Sequence, residues 1–261
     1  MNVGFIGMGN MAQALAVAFL NSKKCTKETL FAFAPHWEKL EKNAEKIGFT
    51  PCATVHELLQ NGEIIFLACK PWQIESVLNE TKNEILQKAV VSVASGWNFA
   101  DFEKILGSDF RVLCVKPNTP AMVGEGVFLF EKKHSLMHDE YDFVRNLFGG
   151  IGLTEELPAE LLAIGGAVSG CGPAFMDMII EAYADAAVKY GIPRETAYRI
   201  VSQTMAGSAK LQLKTSVHPG ALKDAVCTPG GITIRGVDAL EKNGLRGACI
   251  SSIDAVMDSY R

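Results

Sequence analysis

The 261-residue chain has no CxxC pair, no block of basic residues and no uncharged apolar run of the roughly 18 residues that a membrane span needs. Each absence excludes a class of function. Its seven cysteines, Cys25, Cys52, Cys69, Cys114, Cys171, Cys227 and Cys249, are odd in number and widely spaced, which argues against a disulfide framework and a thiolate zinc site. Most lie in apolar runs and read as reduced core thiols of a cytoplasmic protein. With 25 Lys and Arg against 29 Asp and Glu, the net charge is −4, so no nucleic-acid partner is expected. No membrane partner is expected either. The apolar N-terminus lacks a basic leader and is interrupted by Gly4, Gly7 and Gly9, so it reads as folded structure and not as a signal peptide. His134 and His138 are four apart but have no third ligand near them, and no metal site is expected.

The chain changes character near Pro158. Before it, short β-type runs alternate with helical patterns: strands at 2–6, 30–34, 64–69, 89–94, 111–115, 127–130 and 153–157, and helices at 12–20, 36–47, 99–106 and 140–148. Thr54-Val-His-Glu57 is a capping box, and Pro71 suits a first helical turn. Such alternation predicts an α/β fold with a doubly wound parallel sheet. After Pro158 every segment reads as helical, punctuated by Gly191, Pro193, Pro219, Pro229 and Gly244. The expected domains are therefore 1–158 and 159–261. In the helix expected at 173–190, Asp177, Glu181, Asp185 and Lys189 form one narrow polar row, and the rest is apolar or Tyr. A helix covered on so many sides points to a subunit interface.

The first strand runs from Ile6 into Gly7-Met8-Gly9-Asn10-Met11-Ala12, a G-x-G-x-x-A dinucleotide fingerprint. Gly7 makes the tight turn, Gly9 admits the pyrophosphate, Ala12 allows close helix–strand packing, and the helix start offers unpaired N–H groups. A carboxylate at the end of the second strand would select NAD; the chain has Phe33-Ala34-Pro35-His36 there, with Lys39 close by, which favours NADPH over NADH. Ligands of such sheets bind beyond the carboxyl ends of the strands. That edge holds Ala68-Cys69-Lys70-Pro71, Ala94-Ser95-Gly96 and Lys116-Pro117-Asn118-Thr119-Pro120, where the Asn118 amide could order a carboxamide. In the helical half, the glycines of Thr228-Pro229-Gly230-Gly231-Ile232-Thr233 make a nest for an anion such as a carboxylate, and Thr233 adds a hydroxyl.

Together these segments resemble the pyrroline-5-carboxylate reductase family. The stretch from His218 to Glu241 looks like that family's signature over its full length, and Gly7–Ala12, Lys70-Pro71, Pro117-Asn118-Thr119-Pro120, Ser169-Gly170-Cys171-Gly172-Pro173 and 206–210 match in order. The resemblance implies an N-terminal Rossmann domain, an all-helical dimerisation domain, and hydride transfer from NAD(P)H to C5 of L-1-pyrroline-5-carboxylate, giving L-proline. It implies self-association as a dimer or a dimer-based oligomer. It assigns the cofactor to Ile6, Gly7, Met8, Gly9, Asn10, Met11, Ala34, Pro35, Ala68, Cys69, Lys70, Pro71, Ser95 and Asn118. It assigns the substrate to Gly230, Gly231, Ile232, Thr233 and Ser169, with Thr233 as the catalytic candidate. Two departures matter: Ala34 stands where Ser is usual, and Lys116 where Met is common, so the Lys116 side chain is expected to point away from the nicotinamide.

Two rival readings make different demands. A β-hydroxyacid dehydrogenase needs a general acid/base, usually a Lys on the first long helix, and no Lys occurs from Gly165 to Val188. A catalytically silent dinucleotide-binding protein would have no use for the nest at 228–233.

Overall fold

The structure, a computed structural model, describes residues 1–260. Strands β1 (Val3–Ile6) and β4 (Ile64–Leu67) are apolar and buried at every position, which requires a sheet covered on both faces. They lie side by side at the centre of an eight-stranded sheet. The others are β2 (Leu30–Phe33), β3 (Thr50–Pro51), β5 (Ala89–Ser92), β6 (Arg111–Lys116), β7 (Gly126–Glu131) and β8 (Gly152–Leu157), in the order β3-β2-β1-β4-β5-β6-β7-β8. β1 to β6 are all parallel.

Alternating side chains feed two separate cores. Ile64 and Phe66 join Leu15 and Phe19 of α1 (Asn10–Asn21), Leu40 of α2 (Trp37–Ile47) and Phe148 of α6 (His138–Gly149). Ile65 and Leu67 join Leu58 of α3 (Val55–Asn61), Leu78 of α4 (Pro71–Ile85) and Phe102 of α5 (Phe99–Leu106). The first core is built on Phe rings: Phe5 stacks on Phe66 at 4.8 Å, and Phe148 meets Phe19 edge-on at 5.6 Å and Phe128 at 4.6 Å. Local signals act as the sequence suggests. Thr54 Oγ1 accepts from Glu57 N–H at 3.1 Å, and Gly48, at φ +94°, ends α2 in the left-handed region.

The sheet departs from a purely parallel one at its far edge. β7 runs antiparallel to β6, and β8 is parallel to β7. The link at residues 117–125 is shorter than the dozen or so residues of a parallel crossover, so the chain can only turn back. A short 3-10 turn (Thr119–Val123) fills this link. Asn118 secures it: Oδ1 accepts from Val127 N–H at 2.8 Å and Nδ2 donates to the Ser169 carbonyl at 3.0 Å. The two-residue β3 carries no strand pattern of its own and was not expected.

The chain forms two compact units, Met1–Gly170 and Cys171–Arg261. The first extends past the boundary expected at Pro158 because α7 (Leu162–Gly170) packs on β7. A Cβ at Gly165 would meet Leu129 and Leu157 at 2.6 and 2.7 Å, so glycine lets the helix lie against the sheet. The second unit is helical: α8 (Gly172–Lys189) packs along α9 (Arg194–Thr215), followed by α10 (Pro219–Ala225), α11 (Ile232–Lys242) and α12 (Leu245–Asp258). Its described residues bury almost nothing; Met178 is 68% exposed and Leu213 67%. The helical run Ala159–Lys189 is long and apolar enough, by composition, to cross a membrane, at mean hydropathy 1.4 with 6% of that window buried.

Two predictions follow from the β6–β8 region. Asn118→Ala leaves the Val127 N–H without its partner, and we expect a loss of about 1–3 kcal/mol in denaturant unfolding. The second concerns His134, which stacks flat on Tyr141 at 4.4 Å with Nδ1 buried and unpartnered. Burial lowers its pKa, so the fold resists protonation that the unfolded chain accepts. Stability is therefore full above the unfolded value of about 6.5 and falls as pH drops below it. His134→Phe keeps the stack and should flatten the change in denaturant midpoint between pH 7.5 and 5.

Candidate functional site

A cavity of about 400 Å³ opens at the carboxyl ends of β1, β2 and β4, where the strand order reverses. It is lined by Ile6, Gly7, Met8, Gly9, Ala34, Pro35, Ala68, Cys69 and Lys70, so nine of the expected cofactor residues converge on one space. Gly7 is the tightest point. Its φ is +98°, and a Cβ would lie 2.6 Å from the backbone N of Cys69. Only glycine gives both that backbone angle and that approach. Gly9 is the converse: a Cβ there would meet nothing within 4 Å. It precedes α1, whose first-turn N–H groups have no intrahelical acceptor. A phosphate can therefore reach the backbone here, with the helix dipole favouring negative charge.

The cavity wall contains residues that the sequence reading did not assign. From α2 come Leu40 and Asn43, in line with His36 and Lys39; from α4 come Gln73, Val77 and Glu80. Both sets fall at helical spacings of three and four, a signal available in the sequence once the flanking strands are placed. Gln73 is held by the cap of α4: its Oε1 accepts from Lys70 N–H at 3.1 Å, and its own N–H donates to the Lys70 carbonyl at 2.8 Å. No carboxylate stands at the end of β2 itself, and Glu80 is the one acid in the wall. Cys69 is a neutral thiol, its pKa pushed up to about 11 by burial.

Asn10, Met11, Pro71, Ser95 and Asn118 do not line this cavity. Asn10 and Met11 form the first turn of α1, Pro71 is the first residue of α4, and Ser95 lies exposed after β5. Asn118, expected to offer its amide to a carboxamide, holds its loop with that amide. It is 6% exposed, and its oxygen and nitrogen are both engaged within the protein. Ser169 donates its hydroxyl to the Gly165 carbonyl at 2.9 Å, back along its own helix. His138 pairs with Asp142 at 3.2 Å and His134 with Tyr141, so the two histidines do not converge.

In the second unit, the loop before α11 is a tight turn. Gly230 sits at φ +69°, and Gly231 N–H donates to the Thr228 carbonyl at 2.9 Å. That bond takes the Gly231 N–H out of the expected nest. A Cβ at Gly231 would also meet Thr228 Oγ1 at 2.3 Å and its carbonyl oxygen at 3.0 Å, so a side chain there has to displace Thr228. The donors left facing out are those of the first turn of α11, Ile232 and Thr233 among them, which lack an intrahelical acceptor. Ile232 is 87% exposed, and Thr233 beside it is exposed too.

Comparison with known proteins bears on both units. Residues 159–261 match the family described as "Pyrroline-5-carboxylate reductase dimerisation", and residues 2–96 match "NADP oxidoreductase coenzyme F420-dependent". The pyrroline-5-carboxylate reductase of Treponema pallidum is 40% identical over 99% of this chain and 100% of its own length. That of Escherichia coli is 35% identical over 98% and 96%. A crystal structure of Plasmodium falciparum pyrroline carboxylate reductase with NADP bound superposes with a TM-score of 0.88 at 32% identity, covering 99% of this chain and 96% of that one. On its sequence from end to end, and on the fold, this chain belongs to the pyrroline-5-carboxylate reductase family.

Proposed function

We propose that the chain reduces L-1-pyrroline-5-carboxylate to L-proline with NADPH. The observation that carries this reading is the full-length likeness to a pyrroline-5-carboxylate reductase at 40% identity, and the cavity at β1, β2 and β4 supports it. Gly7 and Gly9 would admit the pyrophosphate to the start of α1. Ala34, Pro35, His36 and Lys39 would meet the adenosine end, and Ala68, Cys69 and Lys70 would form the opposite wall. Pro71, Ser95, Asn118 and Ser169 would serve by shaping the loops around the ligands. The acid-free end of β2 spares a 2′-phosphate from repulsion there, so NADPH is preferred and NADH is the alternative. Bound NADPH supplies the hydride that adds to C5 of the cyclic imine.

The protonated imine is already an electrophile, so the protein's task is placement. Holding two reactants in line contributes about 7–11 kcal/mol towards a barrier. The first turn of α11 would receive the carboxylate at Ile232 and Thr233, with Gly230 and Gly231 shaping the turn. The Thr233 hydroxyl oxygen would accept a hydrogen bond from the N–H of the protonated ring nitrogen. The β-hydroxyacid dehydrogenase reading loses ground because α8 holds no Lys before its last residue, Lys189.

The chain would act as a dimer or a dimer-based oligomer. The match to a dimerisation family and the bare apolar faces of α8 and α9 support this, and they give the apolar run Ala159–Lys189 a protein surface to bury against. Its seven free thiols fit a reducing compartment, the cytoplasm.

NADPH oxidation measured with L-1-pyrroline-5-carboxylate, and with 3-hydroxyisobutyrate plus NADP as control, tests the reading directly. Turnover of the hydroxyacid alone would sink it. Ala34→Asp should weaken NADPH binding more than NADH binding, because the new carboxylate meets the 2′-phosphate; equal losses in a fluorescence titration would place the adenosine end elsewhere. Thr233→Ala should lower kcat/KM by roughly 10–100-fold, the scale of one hydrogen bond to a charged group. Its NADPH affinity should not change, since Thr233 lies outside the cofactor cavity.

A further inference from the structure

Cys114 and Lys116 point to one face of β6, and the antiparallel register pairs Val115 with Phe130, which brings Glu131 of β7 to that same face. Both charged groups are drawn inward. Glu131 is 2% exposed, and burial raises its pKa while it lowers that of Lys116; each opposes the other's shift. Drawing a charged side chain into the interior is costly where an apolar residue would fit. The side chains are spent on backbone. Lys116 Nζ donates to the carbonyls of Ala94 at 3.0 Å and Trp97 at 3.2 Å. Glu131 Oε2 accepts from Phe99 N–H at 2.8 Å. Trp97 then extends the chain of contacts, its Nε1 donating to the Pro71 carbonyl at 3.1 Å.

We infer that Lys116 is a positioning residue, which with Glu131 and Trp97 braces the β5–α5 loop and ties it to the β4–α4 loop that walls the cofactor cavity. Three observations support this. The braced stretch carries Ser95 and Gly96, both exposed, the latter at φ +80° with open space where a Cβ would lie. The contacts span the carboxyl ends of β4, β5 and β6. Those ends form the second mononucleotide-binding half of such a sheet, where the part of a dinucleotide beyond the adenosine cavity passes. Lys116 acts through backbone carbonyls and not on a reacting atom, which makes it distinct from Thr233. The expectation that its side chain points away is thus given a purpose.

This inference rests on the dinucleotide reading above, so the test has one readout that needs no turnover. Lys116→Met and Trp97→Phe are made separately in the full-length chain. Amide hydrogen exchange of the ligand-free protein should rise by about tenfold or more over residues 93–102 in both, while the β1–β4 core stays protected. In steady state, kcat should fall about tenfold, with KM for NADPH within about twofold of wild type, because loop misplacement costs rate while the adenosine cavity is intact. Unchanged exchange in both variants overturns the brace. Raised exchange with normal kcat overturns its role in positioning, and so does a kcat loss matched by a uniform rise in exchange. If Lys116→Met fails to fold, Trp97→Phe decides alone. A wild-type chain that does not reduce L-1-pyrroline-5-carboxylate sinks the functional reading, and the exchange result still decides the brace.

Discussion

The approach of Gly7 to the backbone of Ala68 and Cys69 is the contact on which the rest depends. At 2.6 Å from a virtual Cβ to Cys69 N, two turns that leave adjacent parallel strands in opposite directions are in direct contact. Without it, the β1–α1 and β4–α4 turns could not close one side of a single cavity. It also sets where α1 begins, and so where its free N–H groups point. The small residues at Ala12, Ala14, Ala16 and Ala18 then let α1 settle on the sheet, with Phe19 reaching the Phe cluster beneath. A turn, a helix start and a core are thus one arrangement.

The two units solve the burial problem differently. The first closes two cores around one sheet, and its central strands β1, β4 and β5 are buried at every position. The second has long helices and almost no interior, with only Gly172, Ala184 and Ala197 buried among its described residues. Such a set of helices cannot offset its chain entropy from its own contacts. That shortage fits the match of these residues to a dimerisation family. The same shortage explains the membrane-like composition of Ala159–Lys189: an interface helix and a spanning helix are both apolar nearly all round.

Where the signal was local, it was legible. The capping box at Thr54, the stop at Gly48, the buried run of β4 and the G-x-G-x-x-A turn each depend on a few neighbouring residues, and each appears where the sequence put it. What could not be read was set by distance in the chain. β7 turns antiparallel because its link is short, and β3 exists only because β2 offers it an edge. The first compact unit runs on to Gly170 because Gly165 admits α7 to the sheet, while the dimerisation family matches from residue 159. At the site, Asn118 and Gly231 each give an N–H to a partner within the protein: Asn118 to Ser169, which is remote in sequence, and Gly231 to Thr228, which the turn folds back. A free polar group in a sequence is a free group in a structure only when nothing nearby needs it.

That distinction bears on why the chain shows so little acid–base machinery. A protonated imine needs no strong acid, and what limits its reduction is the alignment of two bound molecules. Charged side chains then have more value in holding backbone than in moving protons. Lys116 and Glu131 fit that use: Lys116 grips two carbonyls of one loop, and Glu131 the first N–H of the helix that follows it. Asn118 does the same for the next loop with an amide. The polar residues at the carboxyl edge of this sheet therefore form a scaffold of fixed loops around the ligands. On the proposed reading, the chemistry is left to the few groups that stay exposed: the N–H groups at the start of α1, the first turn of α11, and the hydroxyl of Thr233.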